Sequence, residues 1–485
     1  MELKDKQLFR QQAYINGDWC DSADGNQIAV RNPSNQQLLG HVPALTSKQS
    51  EQAIREAENA WRTWRKLTAR ERSLLLRRWF DLVIENADDL AMIMTLEQGK
   101  PLAESLGEIK YAASFIEWYA EEARRAYGET VPTHKADARI MVTQQPIGVV
   151  AAITPWNFPA AMITRKAAPA LAAGCVMLVK PSEETPYSAL ALAELADRAG
   201  IPAGVFNVLT GLPEQVAEPM LASESVRKLS FTGSTGVGKL LMEKSAATLK
   251  RVSLELGGNA PFIVFDDADL DLAITGVMAS KFRNAGQTCV CANRILVQKG
   301  IYPKFVERLV AETRALKVAD GLSEGAQQGP LINSAAVSKV EQHIEDAVGQ
   351  GAELLTGGKR SDVGAQFFEP TVIAGVEESM RIAQEETFGP VAPVFVFETE
   401  DEAVAMANNT RAGLAAYFYS KDLGRAFRVS EALEYGMVGV NEGIISTEVA
   451  PFGGIKESGV GREGGHQGLA EYMETKYTLI GGLSQ

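Results

Sequence analysis

Histidine and cysteine are both scarce in this chain, which has four of each among 485 residues. The histidines are scattered without metal-ligand spacing, so we expect no metal site. Any general base is then better sought among carboxylates than imidazoles. Cys20 and Cys175 lie far from the other two cysteines. The cysteines therefore indicate no disulfide framework and favour a reducing cytoplasm.

Long apolar runs and excess positive charge are also missing. The most apolar stretch, Gly148 to Met162, is interrupted by Pro155, Asn157 and Pro159, which argues against a membrane-spanning helix. The first ten residues have no apolar core for a secretory signal, and their acidic residues argue against a transit peptide. A net charge of −13 argues against nucleic acid and anionic membranes as partners. Any anionic substrate would need arginine or lysine within its site.

The order of apolar segments predicts two α/β domains within a chain long enough for two or three. Residues 50–127 have a helical pattern. Short apolar strands then alternate with helices, which is typical of a parallel sheet with helices on its faces. The first predicted set of strands is Val149–Ile153, Val176–Val179, Val205–Leu209, Lys228–Phe231, Arg251–Leu254 and Phe262–Phe265. A second set runs from about residue 294 to about residue 440. Ala138–Gln144 and Tyr472–Ile480 fit neither domain, and we expect them to pair as strands that reach a neighbouring subunit.

A glycine-rich turn, Gly233-Ser-Thr-Gly-Val-Gly-Lys239, follows one of these strands. It nearly matches a nucleotide-binding P-loop, but Leu240 stands where a magnesium-binding hydroxyl is needed, and the spacing also fails the Rossmann fingerprint. Backbone N–H groups at such a turn can still bind phosphate, although a plain strand-to-helix turn fits the same residues. Lys180 and Glu183 follow another strand, where they can bind the ribose of a nucleotide or remain solvated charges.

A proline-bracketed turn holds Trp156 and Asn157 rigidly. An asparagine in this position can donate a hydrogen bond to an oxyanion, or it can cap the next helix. That helix carries Arg165 and Lys166 among apolar residues, which is unusual unless the two cations face a cavity or carry a partner.

Two residues are candidates for acid–base and nucleophilic chemistry. Glu255 ends a strand before a glycine pair, where partial burial would raise its pKa and suit it to act as a general base; a surface glutamate is the alternative. Cys289 follows Gly286-Gln-Thr in a segment that also carries Arg283 and Cys291. The turn is expected to present N–H groups that lower the thiol pKa and help to form an oxyanion site. A lone cysteine is, however, more often a small buried hydrophobe.

Seven motifs, in order along the chain, resemble the aldehyde dehydrogenase superfamily. They are Pro155-Trp-Asn-Phe-Pro159, Lys180-Pro-Ser-Glu183, Phe231-Thr-Gly-Ser234, Leu254-Glu-Leu-Gly-Gly-Asn259, Gly286-Gln-Thr-Cys289, Glu386-Thr-Phe-Gly-Pro390 and Pro451-Phe-Gly-Gly-Ile-Lys456. The resemblance runs from about Tyr14 to the C-terminus and is strongest to the succinate-semialdehyde dehydrogenases, including the Cys-Val-Cys pair. It implies a Rossmann-like cofactor domain (1–126 and 147–256), a catalytic α/β domain (257–455) and a small β oligomerisation element (127–146 and 456–485). A homodimer or homotetramer is expected through that element.

The resemblance also implies a role for each candidate residue. Cys289 attacks the aldehyde, while Asn157 and the backbone N–H of Cys289 hold the thiohemiacetal oxyanion. Hydride transfer to the nicotinamide leaves a thioester, and Glu255 activates the water that releases the acid. Lys166 supports proton transfer. The implied cofactor contacts are Trp156, Asn157, Lys180, Ser182, Glu183, Gly233, Ser234, Leu256 and Glu386.

Arg165, Arg283 and Ser446 match the family positions that grip a substrate carboxylate, a task to which arginine is suited. The implied reaction is oxidation of succinate semialdehyde to succinate, as in 4-aminobutyrate breakdown. Glutarate semialdehyde is the alternative, since a pocket discriminates one methylene only modestly. The two arginines would repel a cationic substrate such as betaine aldehyde.

Glu183 and Cys291 lead to two further hypotheses. Several bacterial family members that prefer NADP carry a small residue in place of Glu183. A carboxylate beside the ribose accepts hydrogen bonds from a free 2′-OH and repels a 2′-phosphate, so NAD is predicted as the preferred cofactor over NADP. Lys180 and Ser182 can still bind the phosphate if Glu183 turns away. Cys291 can cap Cys289 as a reversible disulfide if the loop moves, or it can merely pack.

Two other classes of protein are disfavoured. A P-loop nucleotide hydrolase would need a hydroxyl where Leu240 stands, together with a second magnesium-binding motif. A binding or structural protein on a dehydrogenase scaffold would have lost its nucleophile or its base, but Cys289 and Glu255 are both present.

Overall fold

The computed structural model describes residues 2–483, which form two large sheets flanked by helices, a three-stranded sheet and a hairpin. The predicted α/β class is confirmed. The implied domain ranges begin at residue 1 and end at residue 485; residues 1, 484 and 485 lie outside the described part. Within residues 2–483, no helix is both long enough and apolar enough to cross a membrane.

The strands are β1 (Ala13–Ile15), β2 (Asp18–Cys20), β3 (Gln27–Arg31), β4 (Leu38–Pro43), β5 (Glu129–Val131), β6 (Arg139–Pro146), β7 (Val149–Ile153), β8 (Val176–Lys180), β9 (Phe206–Val208), β10 (Val226–Thr232), β11 (Arg251–Glu255), β12 (Ala260–Val264), β13 (Ala292–Gln298), β14 (Glu353–Thr356), β15 (Thr371–Ala374), β16 (Val391–Phe397), β17 (Ala415–Tyr419), β18 (Met437–Val440), β19 (Gly459–Val460) and β20 (Met473–Ile480).

The α-helices are α1 (Ser47–Trp64), α2 (Ala69–Glu85), α3 (Ala87–Gln98), α4 (Leu102–Glu122), α5 (Ala161–Ala173), α6 (Pro186–Arg198), α7 (Pro213–Ala222), α8 (Thr235–Ala246), α9 (Leu270–Phe282), α10 (Tyr302–Ala315), α11 (Ser334–Gly349), α12 (Arg381–Gln384), α13 (Glu400–Asn408), α14 (Leu423–Ala432) and α15 (Gly465–Ala470). The helical pattern predicted for residues 50–127 corresponds to α1–α4.

The first sheet has eight strands in the order β19-β11-β10-β7-β8-β9-β1-β2. The five neighbouring strands from β11 to β9 run parallel, whereas the edge strands pair antiparallel. The central strands are nearly continuous apolar runs because helices cover both faces of the sheet. Their carboxyl ends meet along one edge, where doubly wound sheets bind ligands.

The second sheet has seven strands in the order β14-β15-β16-β13-β12-β17-β18. The predicted grouping of Phe262–Phe265 with the first sheet is wrong, because this segment overlaps β12, which pairs with β13 and β17 at the centre of the second sheet. Only residues 256–259 separate β11 from β12, which is too short for the crossover that a parallel neighbour in the same sheet requires. This short link therefore joins the two sheets, and the candidate active site lies beside it.

The third sheet consists of β5, β6 and β20. Its longest pairing is antiparallel, from Met473 opposite Pro146 to Ile480 opposite Arg139. The predicted pairing of Ala138–Gln144 with Tyr472–Ile480 is confirmed. Apolar side chains on this sheet remain exposed in the chain, among them Met141, Tyr477, Leu479 and Ile480.

Candidate active site

Two cavities share the walls Phe158, Met162 and Cys289 at the carboxyl ends of the first sheet. The first cavity has a volume of about 300 Å³ and is lined by predicted residues Trp156, Asn157, Gly233, Ser234, Glu255, Leu256 and Glu386. The second has a volume of about 280 Å³ and is lined by Arg165, Arg283, Ser446, Tyr111 and Phe452, among others. Five further predicted residues line neither cavity, namely Lys166, Lys180, Ser182, Glu183 and Cys291.

The loop before Cys289 has an unusual backbone. Asn284 has a positive φ of 52°, and Gly286 has a φ of 74°. A side chain at Gly286 would place its Cβ 2.1 Å from the carbonyl oxygen of Gly389, so only glycine fits. The backbone N–H of Asn284 donates to Glu104 Oε2 at 2.8 Å. The loop is thus fixed from two sides, and it delivers Cys289 to the wall shared by the cavities.

Burial raises the pKa of the Cys289 thiol to about 12, although the charge of Arg165 opposes this rise. The prediction that the turn lowers the thiol pKa is therefore wrong. Loss of solvation outweighs the favourable cation and the turn dipoles. Cys289 rests as a thiol at neutral pH and becomes a nucleophile only after it loses a proton.

Asn157 lies in the turn between β7 and α5. Its amide nitrogen donates to the Gln287 carbonyl at 3.0 Å, which leaves the second N–H for a ligand. The backbone carbonyl of Asn157 accepts from Lys100 Nζ at 2.7 Å and from Asn284 Nδ2 at 3.0 Å. The helix-cap alternative is wrong, because α5 starts after Ala160 without a side-chain cap. The turn holds an amide donor in the wall of the first cavity, which Cys289 also lines.

Glu255 ends β11 and is only 2% exposed. Neither of its carboxylate oxygens has a hydrogen-bond partner in the described part of the chain. Burial, reinforced by the charge of Glu463, raises the pKa of Glu255 well above its usual value. The surface-glutamate alternative is therefore wrong. A buried carboxylate with free oxygens and a raised pKa is suited to take a proton from water.

Glu463 is a buried residue that sequence reasoning misses. It forms ion pairs with both Arg165 and Lys166. Although burial alone would raise its pKa, the two cations lower it. Lys166 Nζ also donates to Thr232 Oγ1 at 2.6 Å, and burial lowers the pKa of this lysine. The only sequence signal for Glu463 is an acidic residue within a glycine-rich segment far along the chain from its partners.

The second cavity contains two guanidinium groups in different electrostatic settings. The Arg165 guanidinium lies 4.4 Å from the ring centre of Phe452, and that of Arg283 lies 5.2 Å from Phe158. Arg165 is paired with Glu463. Arg283 has no ion-pair partner among residues 2–483, so it is the cation more available to an anionic ligand.

Two carboxylates also line this cavity. Glu108 is paired with Lys100, so its charge is balanced. Glu104 accepts a hydrogen bond from the Asn284 backbone, and burial raises its pKa. Both groups are thereby engaged in holding the loops of the site, and the raised pKa of Glu104 favours its neutral form.

The turn after β10 can hold a phosphate, although not through every predicted group. The Gly233 N–H donates to the Glu255 carbonyl at 3.0 Å and is not available. The Ser234 hydroxyl caps α8. The N–H groups of Thr235 and Gly236, at the start of this helix, have no partner within the described residues. These groups and the helix dipole fit a pyrophosphate.

Lys180, Ser182 and Glu183 lie at the carboxyl end of β8, two strands from β10 in the order β10-β7-β8. Strands are about 4.8 Å apart, so these residues lie about 10 Å from the turn at Gly233. Lys180 Nζ is buried and pairs with Glu183 Oε1 at 2.6 Å. The reading of these residues as two solvated charges is therefore wrong for Lys180. The spacing fits the distance between a pyrophosphate and an adenosine ribose.

The far wall of the first cavity is set by Trp156 and Glu386. The Trp156 indole packs edge-on against Phe388 at 5.6 Å between ring centres. Glu386 Oε1 accepts from the Gly258 N–H at 3.2 Å, and burial raises the pKa of Glu386 to about 7. A Cβ at Gly258 would lie 2.3 Å from the Cys289 carbonyl oxygen, so glycine is required here. The indole and the carboxylate both line the first cavity, where they would hold a nicotinamide and its ribose.

Cys291 is 2% exposed and lines neither cavity. Its Sγ donates to the Gly286 carbonyl at 3.3 Å and lies 3.8 Å from Lys281 Nζ. Cys289 and Cys291 are both free thiols. A disulfide between them would require the contact with Gly286 to break.

A nucleophilic cysteine, a buried carboxylate and a dinucleotide-sized set of strand ends define a cysteine-dependent dehydrogenase site. The chain belongs to the aldehyde dehydrogenase family, whose model matches residues 19–478.

Several proteins of this family are similar to the chain over its whole length. Glutarate-semialdehyde dehydrogenase of Pseudomonas putida is 61% identical over 480 residues, 99% of this chain and 100% of that protein. The succinate-semialdehyde dehydrogenase GabD of Escherichia coli, named as NADP(+)-dependent, is 60% identical over 99% of this chain and 100% of its own length. The crystal structure of succinate-semialdehyde dehydrogenase from Burkholderia pseudomallei matches with a TM-score of 0.98 and 58% identity, covering 99% of this chain and 100% of that one.

Proposed function

We propose that this enzyme oxidises succinate semialdehyde to succinate with NAD(P). The observation that carries the proposal is the second cavity, which joins Cys289 to Arg165, Arg283 and Ser446. A cavity that presents guanidinium groups next to the nucleophile suits an aldehyde with a carboxylate at its other end. Relatives at about the same identity act, by name, on semialdehydes of dicarboxylic acids.

The proposed chemistry uses five residues of this chain. The Cys289 thiol first gives its proton to water, and Sγ then adds to the aldehyde carbon, while the free N–H of Asn157 and the Cys289 backbone N–H stabilise the oxyanion. The bound cofactor supplies the hydride acceptor, and the product of that step is a thioester on Cys289. Glu255 then takes a proton from water, which attacks the thioester and releases the acid. Lys166 and Glu463, whose charges both act on Glu255, support the departure of this proton.

We propose NAD as the preferred cofactor, with NADP as the weaker substrate. Glu183 accepts a hydrogen bond from a ribose 2′-OH and repels a 2′-phosphate, and its ion pair with Lys180 keeps the carboxylate near the strand end. Because the Escherichia coli relative is named as NADP(+)-dependent, kcat/KM for NAD and for NADP must be compared on this enzyme itself. We expect a higher kcat/KM with NAD. Glu183→Ala should move the ratio toward NADP, and a parent enzyme that prefers NADP would overturn the proposal.

Glutarate semialdehyde is the second candidate substrate, because a glutarate-semialdehyde dehydrogenase is 61% identical to this chain. The two substrates differ by one methylene, so we expect activity on both. Measuring kcat/KM for succinate semialdehyde, glutarate semialdehyde and neutral aldehydes tests the assignment. The proposal requires succinate semialdehyde to be at least as good as glutarate semialdehyde and clearly better than butanal.

We propose that the enzyme works as a cytoplasmic homodimer or homotetramer, with the three-stranded sheet as the contact. Exposed apolar side chains on this sheet support this, and an edge strand that carries such residues, as β20 does, favours pairing with another chain. We retain the division into a cofactor domain (1–126, 147–256), a catalytic domain (257–455) and this oligomerisation element (127–146, 456–485). Light scattering should give a dimeric or tetrameric mass, and a monomer at micromolar concentration would overturn the proposal.

We propose Cys291 as a reversible redox partner of Cys289, with simple packing as its competing role. Mild peroxide should inactivate the enzyme, thiol reduction should restore it, and mass spectrometry should detect the Cys289–Cys291 disulfide. Cys291→Ser separates the two roles. If this variant loses and regains activity as the parent does, Cys291 only packs.

A further inference from the structure

Tyr111 presents a phenol to the second cavity from helix α4. Its ring packs edge-on against Phe115 at 4.9 Å between centres, which fixes its direction. Its hydroxyl oxygen is buried, and the nearby Arg165 guanidinium can only donate to it, so the hydroxyl proton has no acceptor among residues 2–483. Buried hydroxyl groups are nearly always hydrogen-bonded, because an unmet donor costs stability. An unmet donor that lines a cavity indicates a ligand.

The surroundings of the phenol restrict what that ligand is. Burial raises the pKa of Tyr111, and the nearby guanidinium groups of Arg165 and Arg283 oppose the rise. The phenol therefore lies within the field of both arginines. A guanidinium group has no acceptor, so neither arginine can receive the phenol proton. A hydrogen-bond acceptor that the two arginines attract to the phenol carries negative charge.

We propose that Tyr111 donates a hydrogen bond to the distal carboxylate of the aldehyde and so helps to determine substrate specificity. The proposal rests on the proposed function, in which the substrate carries such a carboxylate. A carboxylate accepts several hydrogen bonds on its two oxygens. Arg283, Ser446 and Tyr111 then surround it with donors from three separate segments of the chain.

Tyr111→Phe tests this role, because it removes the hydroxyl and keeps the ring. A hydrogen bond to a charged group is strong, so we expect the KM for succinate semialdehyde to rise about 10- to 100-fold with little change in kcat. The KM for butanal, a neutral aldehyde of similar size, should stay the same. The melting temperature should be unchanged or higher, since the lost hydroxyl proton has no acceptor among the described residues.

Tyr119→Phe is the matched control on the same helix. Its hydroxyl donates to the Gly465 carbonyl at 3.1 Å within the protein. We expect this variant to lose thermal stability and to keep the parent ratio of KM values for the two aldehydes.

Two failures can be told apart by measuring both aldehydes on the parent and on each variant. A parent that does not prefer succinate semialdehyde over butanal overturns the proposed function. A parent that does prefer it, combined with a Tyr111→Phe variant whose two KM values change equally or not at all, overturns the role of Tyr111 alone.

Discussion

The environment of Glu255 supports its role as the general base. It is buried at a strand end, its oxygens lack partners in the described chain, and its pKa is raised. Glu255→Gln keeps the volume and removes the base. We expect kcat to fall about 100- to 10,000-fold. Stopped-flow absorbance should still show a rapid burst of reduced cofactor, because thioester formation precedes the step that needs Glu255. Loss of the burst together with turnover would contradict this order.

After burial, the charge of Glu463 is the second cause of the raised pKa of Glu255. The base works when ionised, so kcat rises with pH through the raised pKa of Glu255. Glu463→Gln removes a neighbouring negative charge, which should lower that pKa and shift the acid limb of the kcat profile to lower pH. Since the change also leaves Arg165 and Lys166 without their carboxylate, the melting temperature must be measured alongside. A shift of the limb toward higher pH would contradict the coupling.

At the scale of elements, one buried ion pair joins three helices around the oxyanion site. Lys100, just after α3, pairs with Glu108 of α4 and donates to the Asn157 carbonyl at 2.7 Å. Glu108 Oε1 in turn accepts from the N–H groups of Ala160 and Ala161, where α5 begins, at 3.0 and 3.2 Å. The pair thereby holds the chain on both sides of the turn that carries Asn157.

Lys100→Met should lower both stability and kcat. Removing one partner of a buried pair costs about 3 to 5 kcal/mol, and a small displacement of Asn157 weakens oxyanion stabilisation. The double variant Lys100→Met, Glu108→Leu separates the two effects, because replacing the whole pair by apolar groups is often neutral for stability. Denaturant unfolding and kcat should show recovered stability with kcat still low. Recovery of kcat along with stability would mean that the pair is only structural.

The elements that sequence reasoning predicts well are those whose signal is local. The strands that end at Ile153 and Lys180 are short apolar runs, and polar residues of the site lie at or just after their ends. The placement of β12 in the second sheet is not local, because it depends on which strands its edges meet. The partnership of Arg165 with Glu463 joins residues nearly three hundred positions apart, and a single sequence carries no signal for such a contact.

The raised pKa of Cys289 is likewise a property that the sequence alone does not reveal. The turn Gly286-Gln-Thr-Cys289 predicts a nucleophile, and Cys289 does line the cavity, but the depth of burial there is set by both sheets together. Desolvation, which raises the thiol pKa, is a property of the assembled site.

In the whole molecule, the two sheets joined by residues 256–259 have different functions. The strand ends of the first sheet fit the dinucleotide, and the loop between α9 and β13 brings Cys289 to it. The second cavity opens on the other side of the cysteine, where Arg283 is the cation without an ion-pair partner among residues 2–483. An acidic protein with a net charge of −13 can thus bind an anionic aldehyde at a local positive site.

We propose that this enzyme selects aldehydes by a carboxylate at the far end of the substrate, and Arg283→Ala tests this selection. Steady-state KM values for succinate semialdehyde and butanal are compared in the parent, in Arg283→Ala and in Arg360→Ala, whose arginine pairs with Glu341 on the surface. Loss of a charged contact predicts a rise of about tenfold or more in KM for the semialdehyde, with butanal and the surface variant unchanged. Equal effects of Arg283→Ala on both aldehydes would contradict the account.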